Sequence, residues 1–197
     1  MIEMTTAIRT FKRACTDETQ IHKFLREAQT AFLGLVDHSV PYVIPLNYVV
    51  KDGIFYFHGA NDGRKIHIMT ANPNACITIC ENYGTMVDPI PANTDTAYMS
   101  VIANGVVEIV RDLDEATVAM QAMLDKYVPG YYQAPLSKTH IDKYQSSLGS
   151  KTLVFKIKPT TMTVKEHKLN EQMQYYRGRV VTQDINRKSN EEPIKTT

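Results

Sequence analysis

Two β-rich runs, residues 40–50 (VPYVIPLNYVV) and 54–58 (IFYFH), flank Asp52-Gly53. An Asp-Gly pair supplies the positive φ angles of a two-residue primed turn, so the runs predict a tight antiparallel hairpin. Pro45 interrupts the first run. Proline lacks a ladder donor, so this strand is expected to be bulged, to lie at an edge, or to turn its backbone toward something other than a strand, such as a bound planar ligand. After His58 the loop Gly59-Ala60-Asn61-Asp62-Gly63 leads into a helix expected from Arg64 to Ala71. Ile66 and Met69 should face the core there, and Asn72-Pro73 should end the helix.

The remaining elements read in series, without internal repeats. Asp17, with Gln20 three residues on, is placed to cap a helix whose apolar stripe is Ile21, Phe24, Leu25 and Ala28. Residues 31–36 read as a strand closed by the turn-like Asp37-His38-Ser39, and 75–82 as another. Residues 84–95 hold two prolines and little periodicity, which predicts a long loop able to cover a site. A long strand follows at 97–110, with Gly105 as a bulge or corner. Asp112 and Glu115 have capping-box spacing ahead of Leu113, Ala116, Met120, Met123, Leu124 and Tyr127, which share one helical face and read as core. A short helix is expected near 139–147, then two final strands joined at Pro159-Thr160. The polar stretch from Lys168 reads as a mobile tail or an arm that orders against a partner. This gives one domain over 1–167 and a tail or dimer arm over 168–197. About seven strands with three or four peripheral helices and no strand–helix–strand rhythm make the fold mainly β, an antiparallel barrel.

Composition narrows the function. With 22 Lys plus Arg against 21 Asp plus Glu in 197 residues, the formal charge is +1. No global field draws nucleic acid or an anionic membrane, and no basic, aromatic-studded strand face is present. The chain shows no apolar stretch of signal-peptide or membrane-spanning length, so it is expected to be soluble and cytoplasmic. Cys15, Cys76 and Cys80 form no C-x-x-C pair and read as reduced thiols. Cys76 and Cys80 would share one face of a strand, as two buried small hydrophobes rather than a metal or redox pair. The histidines are scattered and give no metal signature. No G-x-G-x-x-G fingerprint occurs, and Gly59 to Lys65 misses the triphosphate P-loop by one residue and by the Ser or Thr after its lysine.

Gly59 to Lys65 can nevertheless take a single phosphate group. The glycines allow close backbone approach, the helix start at Arg64 presents free N–H groups, and Arg64 with Lys65 adds charge and a fork geometry. An ordinary solvated helix start would carry the same residues.

The order PYVIPLNYV, DG, FYFHGANDGRK, NPNACITI and YMSVIANGVVEIV resembles the pyridoxamine-5′-phosphate-oxidase-like family of FMN-binding split β-barrels. Within it the chain is most similar to the nitroimidazole-resistance flavoproteins, over about residues 9–166. The resemblance implies that Arg64 and Lys65 hold the FMN phosphate, helped by His58, Gly59 and Ala60. It implies that the backbone of Val43, Ile44, Pro45, Leu46 and Asn47 runs along the isoalloxazine ring, and that Tyr98 and Ser100 approach the flavin from the other subunit of a homodimer. His58 has two readings, a catalytic place near flavin and substrate or a hydrogen bond to phosphate or a backbone carbonyl. Vitamin B6 oxidase activity is disfavoured: apolar Val43 and Ile44 stand where those oxidases carry arginine, and the chain has no tryptophan. The implied function is an FMN-dependent oxidoreductase acting on a small organic substrate, a nitroaromatic among the candidates, with NAD(P)H or another reductant. The alternative is a non-catalytic flavin or haem binder, with FAD and haem ranked below FMN. No metal is expected.

Overall fold

In a computed structural model the described residues are 9–145, 149 and 151–185. Strands β1 (Ala31–Asp37) and β2 (Val40–Leu46) form a hairpin around His38-Ser39, and β3 (Val49–Lys51) and β4 (Ile54–Ala60) form a second around Asp52-Gly53. Asp52 and Gly53 take φ of 52° and 76°, as a primed turn requires. Strands β5 (Asn74–Met86), β6 (Asp95–Ile109) and β7 (Thr152–His167) complete a seven-stranded antiparallel sheet in the order β2-β1-β5-β6-β7-β4-β3.

This order corrects the expected single strand over 40–50. Its first part lies at one edge of the sheet and its last part at the opposite edge, with only Asn47 and Tyr48 between them. Three consecutive Cα–Cα links reach about 11 Å at most, so the two edges must curl toward each other there. The sheet is a barrel joined at its split by covalent chain rather than by a ladder. Pro45 stands on edge strand β2 opposite Phe32, the edge placement its missing donor allows.

The crossing is fastened from inside. Tyr48 is fully buried, and the Tyr127 hydroxyl accepts from its N–H at 2.9 Å. The same hydroxyl lies 2.7 Å from the Gln29 carbonyl and 3.0 Å from that of Tyr48, so it can donate to either. The Tyr48 hydroxyl donates to Leu25 O at 2.9 Å. One phenol thus serves backbone groups that have no strand partner at the gap.

Long strands bend at two register shifts. Between Asn104 and Gly105 the β6–β7 ladder skips Thr160, so the expected joint at Pro159-Thr160 is a bulge inside one continuous β7. A Cβ on Gly105 would lie 2.6 Å from Lys158 O, which is why glycine occupies the corner. The second shift, between Asn82 and Gly84, lets β5 run on to Met86. The expected loop over 84–95 shrinks to 87–94, around a turn of 3-10 helix at Pro91–Asn93. Seven strands are present among the described residues, but the first long run splits and the last two merge.

Helices α1 (Glu18–Glu27), α2 (Arg64–Ala71), α3 (Leu113–Tyr127) and α4 (Lys138–Asp142) surround the sheet. Helix α4 ends before the expected 147, and residues 146–148 lie outside the described ones. Asp17 accepts from Gln20 N at 3.1 Å, as its spacing predicts. Asp112 caps α3 through Asp114 N, but Glu115 does not complete a capping box: it takes Lys156 Nζ at 2.9 Å and the Tyr56 hydroxyl at 2.9 Å. The core gathers Leu33, Phe55, Phe57, Ile77, Ile79 and Phe155 inside the curl. Cys76 and Cys80 do share a face, but the outer one; both are at least partly exposed, and Ala75, Ile77 and Ile79 take the buried side. No helix among the described residues is long and apolar enough to cross a membrane.

The stretch after His167 is fastened to its own chain as far as residue 184. Val87 N donates to Met173 O at 2.8 Å, Tyr175 N donates to Thr85 O at 2.7 Å, and the Arg179 side chain joins Asp184 and the Gln174 carbonyl. Backbone pairing with the β5 end, rather than apolar spacing, orders this stretch. Residues 186–197 lie outside the described ones.

Replacing Tyr127 by phenylalanine leaves Tyr48 N–H buried without an acceptor. A loss of about 1–3 kcal/mol in urea unfolding is expected, and a change within error would show that the clamp does not hold the split.

Candidate active site

The end of β4 and the start of α2 meet in one corner. Gly63, at φ 103°, opens α2 with no side-chain cap, and no acidic residue stands in the first turn. The carboxylate nearest that start is Asp62, one residue before the cap, which accepts from Gly63 N at 2.7 Å and lies 3.8 Å from His67 Nε2. Lys65 folds back over Gly59: a Cβ on Gly59 would sit 2.2 Å from Lys65 Nζ, so a side chain at 59 would displace the ammonium. That ammonium lies 5.8 Å from the Phe155 ring centroid, and Phe155 stacks on Phe57 at 5.3 Å.

Lys65 has no carboxylate partner among the described residues, and its burial lowers its pKa. His58, opposite Val154 on β4, is held toward the neutral form by burial and then by the charge of Lys65. Its Nδ1 is buried and has no hydrogen-bond partner among the described residues. A half-buried cation without a counter-charge beside an orphaned ring nitrogen is an arrangement that an anion would complete.

Arg64 does something else. Its Nε and Nη2 donate to Asp37 Oδ2 at 3.3 and 3.1 Å, and its guanidinium lies 4.5 Å above the Tyr42 ring. Asp37 is held below the usual carboxylate range by hydrogen bonds from His38 and Arg64. Arg64 thus ties α2 to the β1–β2 hairpin, while Lys65 is the cation left for a ligand. Asp37, Tyr42 and Phe155 were not legible in sequence, because each reaches the corner from a separate strand.

The other expected site residues divide in two. Val43, Ile44, Pro45 and Leu46 form the body of edge strand β2, with Ile44 and Leu46 against the core and Val43 exposed; Asn47 begins the crossing. Tyr42 and Asp37 link this strand to Arg64, so edge strand β2 and the start of α2 adjoin. Gly59 and Ala60 are not in a loop as expected; they extend β4 and pair with Leu153 and Thr152. Tyr98 and Ser100 pair with His167 and Lys165. His167 lies thirteen positions along β7 from Val154, roughly 40 Å of contour at about 3.3 Å per residue. Within one chain these two residues are not brought to the corner.

A split antiparallel barrel with a cationic corner beside its edge strand defines the class as that of the split-barrel, pyridoxamine-phosphate-oxidase-like proteins. The chain belongs to the pyridoxamine 5′-phosphate oxidase family, whose sequence profile matches residues 17–166. Its fold is similar to that of a candidate 5-nitroimidazole antibiotic resistance protein from Bacteroides thetaiotaomicron, at 24% identity, TM-score 0.61, 77% of this chain and 85% of that one. It is also similar to the flavocytochrome Anf3 from Azotobacter vinelandii, at 19% identity, TM-score 0.67, 83% of this chain and 75% of the other. The FAD and heme binding protein from Mycobacterium smegmatis matches at 16% identity and TM-score 0.65, over 89% and 80% of the two chains. At these identities the likeness is one of fold. No curated protein matches the chain.

The histidine gives a pH signature. Folded His58 binds its proton less readily than an ordinary histidine near 6.5, so protonation favours the unfolded chain and stability falls as pH drops below that value. The urea midpoint should therefore decrease from pH 7.5 to 5.5 by more in the native protein than in His58→Gln. Equal decreases would show that His58 is not buried as a neutral ring.

Proposed function

We propose that the protein is an FMN-dependent oxidoreductase that reduces a small organic substrate, with nitroaromatics the leading class and a nicotinamide nucleotide as reductant. The observation that carries this reading is the pairing of uncompensated Lys65 with the orphaned His58 nitrogen at the uncapped start of α2. A flavin phosphate fits that corner, because it supplies the negative charge and the acceptor oxygens that Lys65 and the α2 N-terminus can use. Bound FMN supplies hydride or electron transfer, the chemistry the side chains lack. The chain's part is to hold the phosphate with Lys65, while Arg64 keeps α2 on the β1–β2 hairpin, to admit it closely at Gly59 and Ala60, and to lay the Val43–Asn47 backbone beside the ring. His58, kept neutral, serves as a hydrogen-bonding group at the phosphate end in this reading.

The working unit is a homodimer. Rows of outward residues cross four strands in register, Pro45-Phe32-Thr78-Ile102 and Val43-Gly34-Cys76-Asn104, and Phe32, Val43 and Ile102 are exposed. Such an apolar sheet face suits a second copy, which would bring Tyr98 and Ser100 to the neighbouring site. Three unpaired cysteines suit a reducing compartment, in keeping with the cytoplasm.

A second reading, a flavin or haem binder without turnover, draws support from the two relatives named for haem. The visible spectrum separates them: a flavin spectrum bleached by anaerobic NADH or NADPH supports the oxidoreductase, and a Soret band supports the haem binder. Lys65→Met should weaken FMN binding at least tenfold, about 1.4 kcal/mol, in a flavin-fluorescence titration, and Arg64→Met by less because Asp37 and Tyr42 engage that side chain. An unchanged affinity for Lys65→Met would refute the phosphate assignment. Light scattering should give a dimer that Ile102→Asp dissociates; a monomeric native protein would overturn the shared site.

A further inference from the structure

The outward backbone of edge strand β2 is almost stripped of donors. The His38-Ser39 turn has two residues, with His38 at φ 58°, so Asp37 and Val40 exchange the hydrogen bonds that close it. Along an antiparallel strand, every second residue turns its N–H and C=O to the same side. Val40, Tyr42, Ile44 and Leu46 therefore face β1, and the backbone groups of Pro41, Val43 and Pro45 face away from the sheet. Two of those three residues carry no N–H. Val43 N–H is the one donor left on this edge, beside the carbonyls of all three.

A further antiparallel strand draws a donor from every second residue, so Pro41 and Pro45 leave it a single anchor here. One residue is enough for a flat ligand whose own donor and acceptor are adjacent. Val43 presents N–H and C=O side by side, the complement of a cyclic imide or lactam, in which a carbonyl and an N–H share one ring bond. The place suits such a ring as well. Asp37 and Tyr42 of the same hairpin hold the Arg64 guanidinium, which brings this edge against the start of α2, where Lys65 stands.

We propose, building on the flavin reading, that Val43 is the residue that pairs with the imide of the isoalloxazine ring: its N–H donates to an imide carbonyl and its C=O accepts from the imide N–H. Pro41 and Pro45 keep the edge open for the ring by denying it to a strand. The Val43 side chain takes no part in the pairing.

The test titrates FMN and N3-methyl-FMN, which lacks the imide proton, into the purified full chain and follows flavin fluorescence. The native protein should bind N3-methyl-FMN at least tenfold more weakly than FMN. Val43→Ala keeps the backbone donor and should keep that preference. Val43→Pro removes the donor and leaves the β1 ladder intact, so its urea midpoint should match the native one. Its FMN binding should weaken at least tenfold, and the two flavins should then bind within about twofold of each other. If the proline variant does not fold, the native and Val43→Ala titrations still carry the test. Equal native affinity for the two flavins would overturn the pairing, as would loss of the preference in Val43→Ala or its survival in folded Val43→Pro. Dissociation of a dimer by Val43→Pro with flavin binding unchanged would give the edge to a second copy instead. If FMN itself fails to bind the native chain, the flavin reading falls and the pairing falls with it.

Discussion

The structure depends on a two-residue crossing. Asn47 and Tyr48 carry the chain from one edge of the sheet to the other, and this forces seven strands into a curl that hydrogen bonds alone do not close. The cost of such a gap is unpaired backbone in the interior. The Tyr127 hydroxyl, aimed from the end of α3, meets it by accepting from Tyr48 N–H and lying within reach of two carbonyls. Strand β2, the expected wall for a planar ligand, ends at this fastening, so its position is set by a phenol roughly 80 residues away in sequence.

The same curl makes the corner at His58 electrostatically unusual. Because Phe57 and Phe155 stack beneath it, Lys65 is drawn over Gly59 into a partly desolvated place where solvent screens its charge less well. Its field and the burial of His58 act in one direction, toward a neutral imidazole. Arg64, one residue earlier, points to Asp37 and Tyr42 and takes up a structural duty. Adjacent residues in the first turn of a helix point about 100° apart, which is enough to give two cations different work.

Local signals are legible in the sequence. The Asp52-Gly53 hairpin, the Asp17 cap, the α2 span and the Gly105 bulge all follow from chemistry within a few residues. The candidate corner was legible too, since His58, Gly59, Arg64 and Lys65 lie within one turn of chain. Sequence pattern and structure part where distant pairing decides. Residues 40–50 look like one strand until the sheet assigns Val40–Leu46 and Val49–Lys51 to opposite edges, and Pro159-Thr160 looks like a break until β6 pairs across it. Cys76 and Cys80 were placed on one face correctly, but alternation cannot say which face is inside; Ala75, Ile77 and Ile79 decided that by packing on the core.

By itself the sequence determined the β-rich class, the turn that starts β4 and the anion-friendly glycines and cations after it, because φ preference, side-chain alternation and helix capping act over a few residues. Only the tertiary structure decided which cation is left without a partner, which histidine nitrogen is buried, and that β2 lies beside the corner. Those outcomes depend on desolvation and on contacts between strands far apart in the chain, and nothing in the local sequence specifies either.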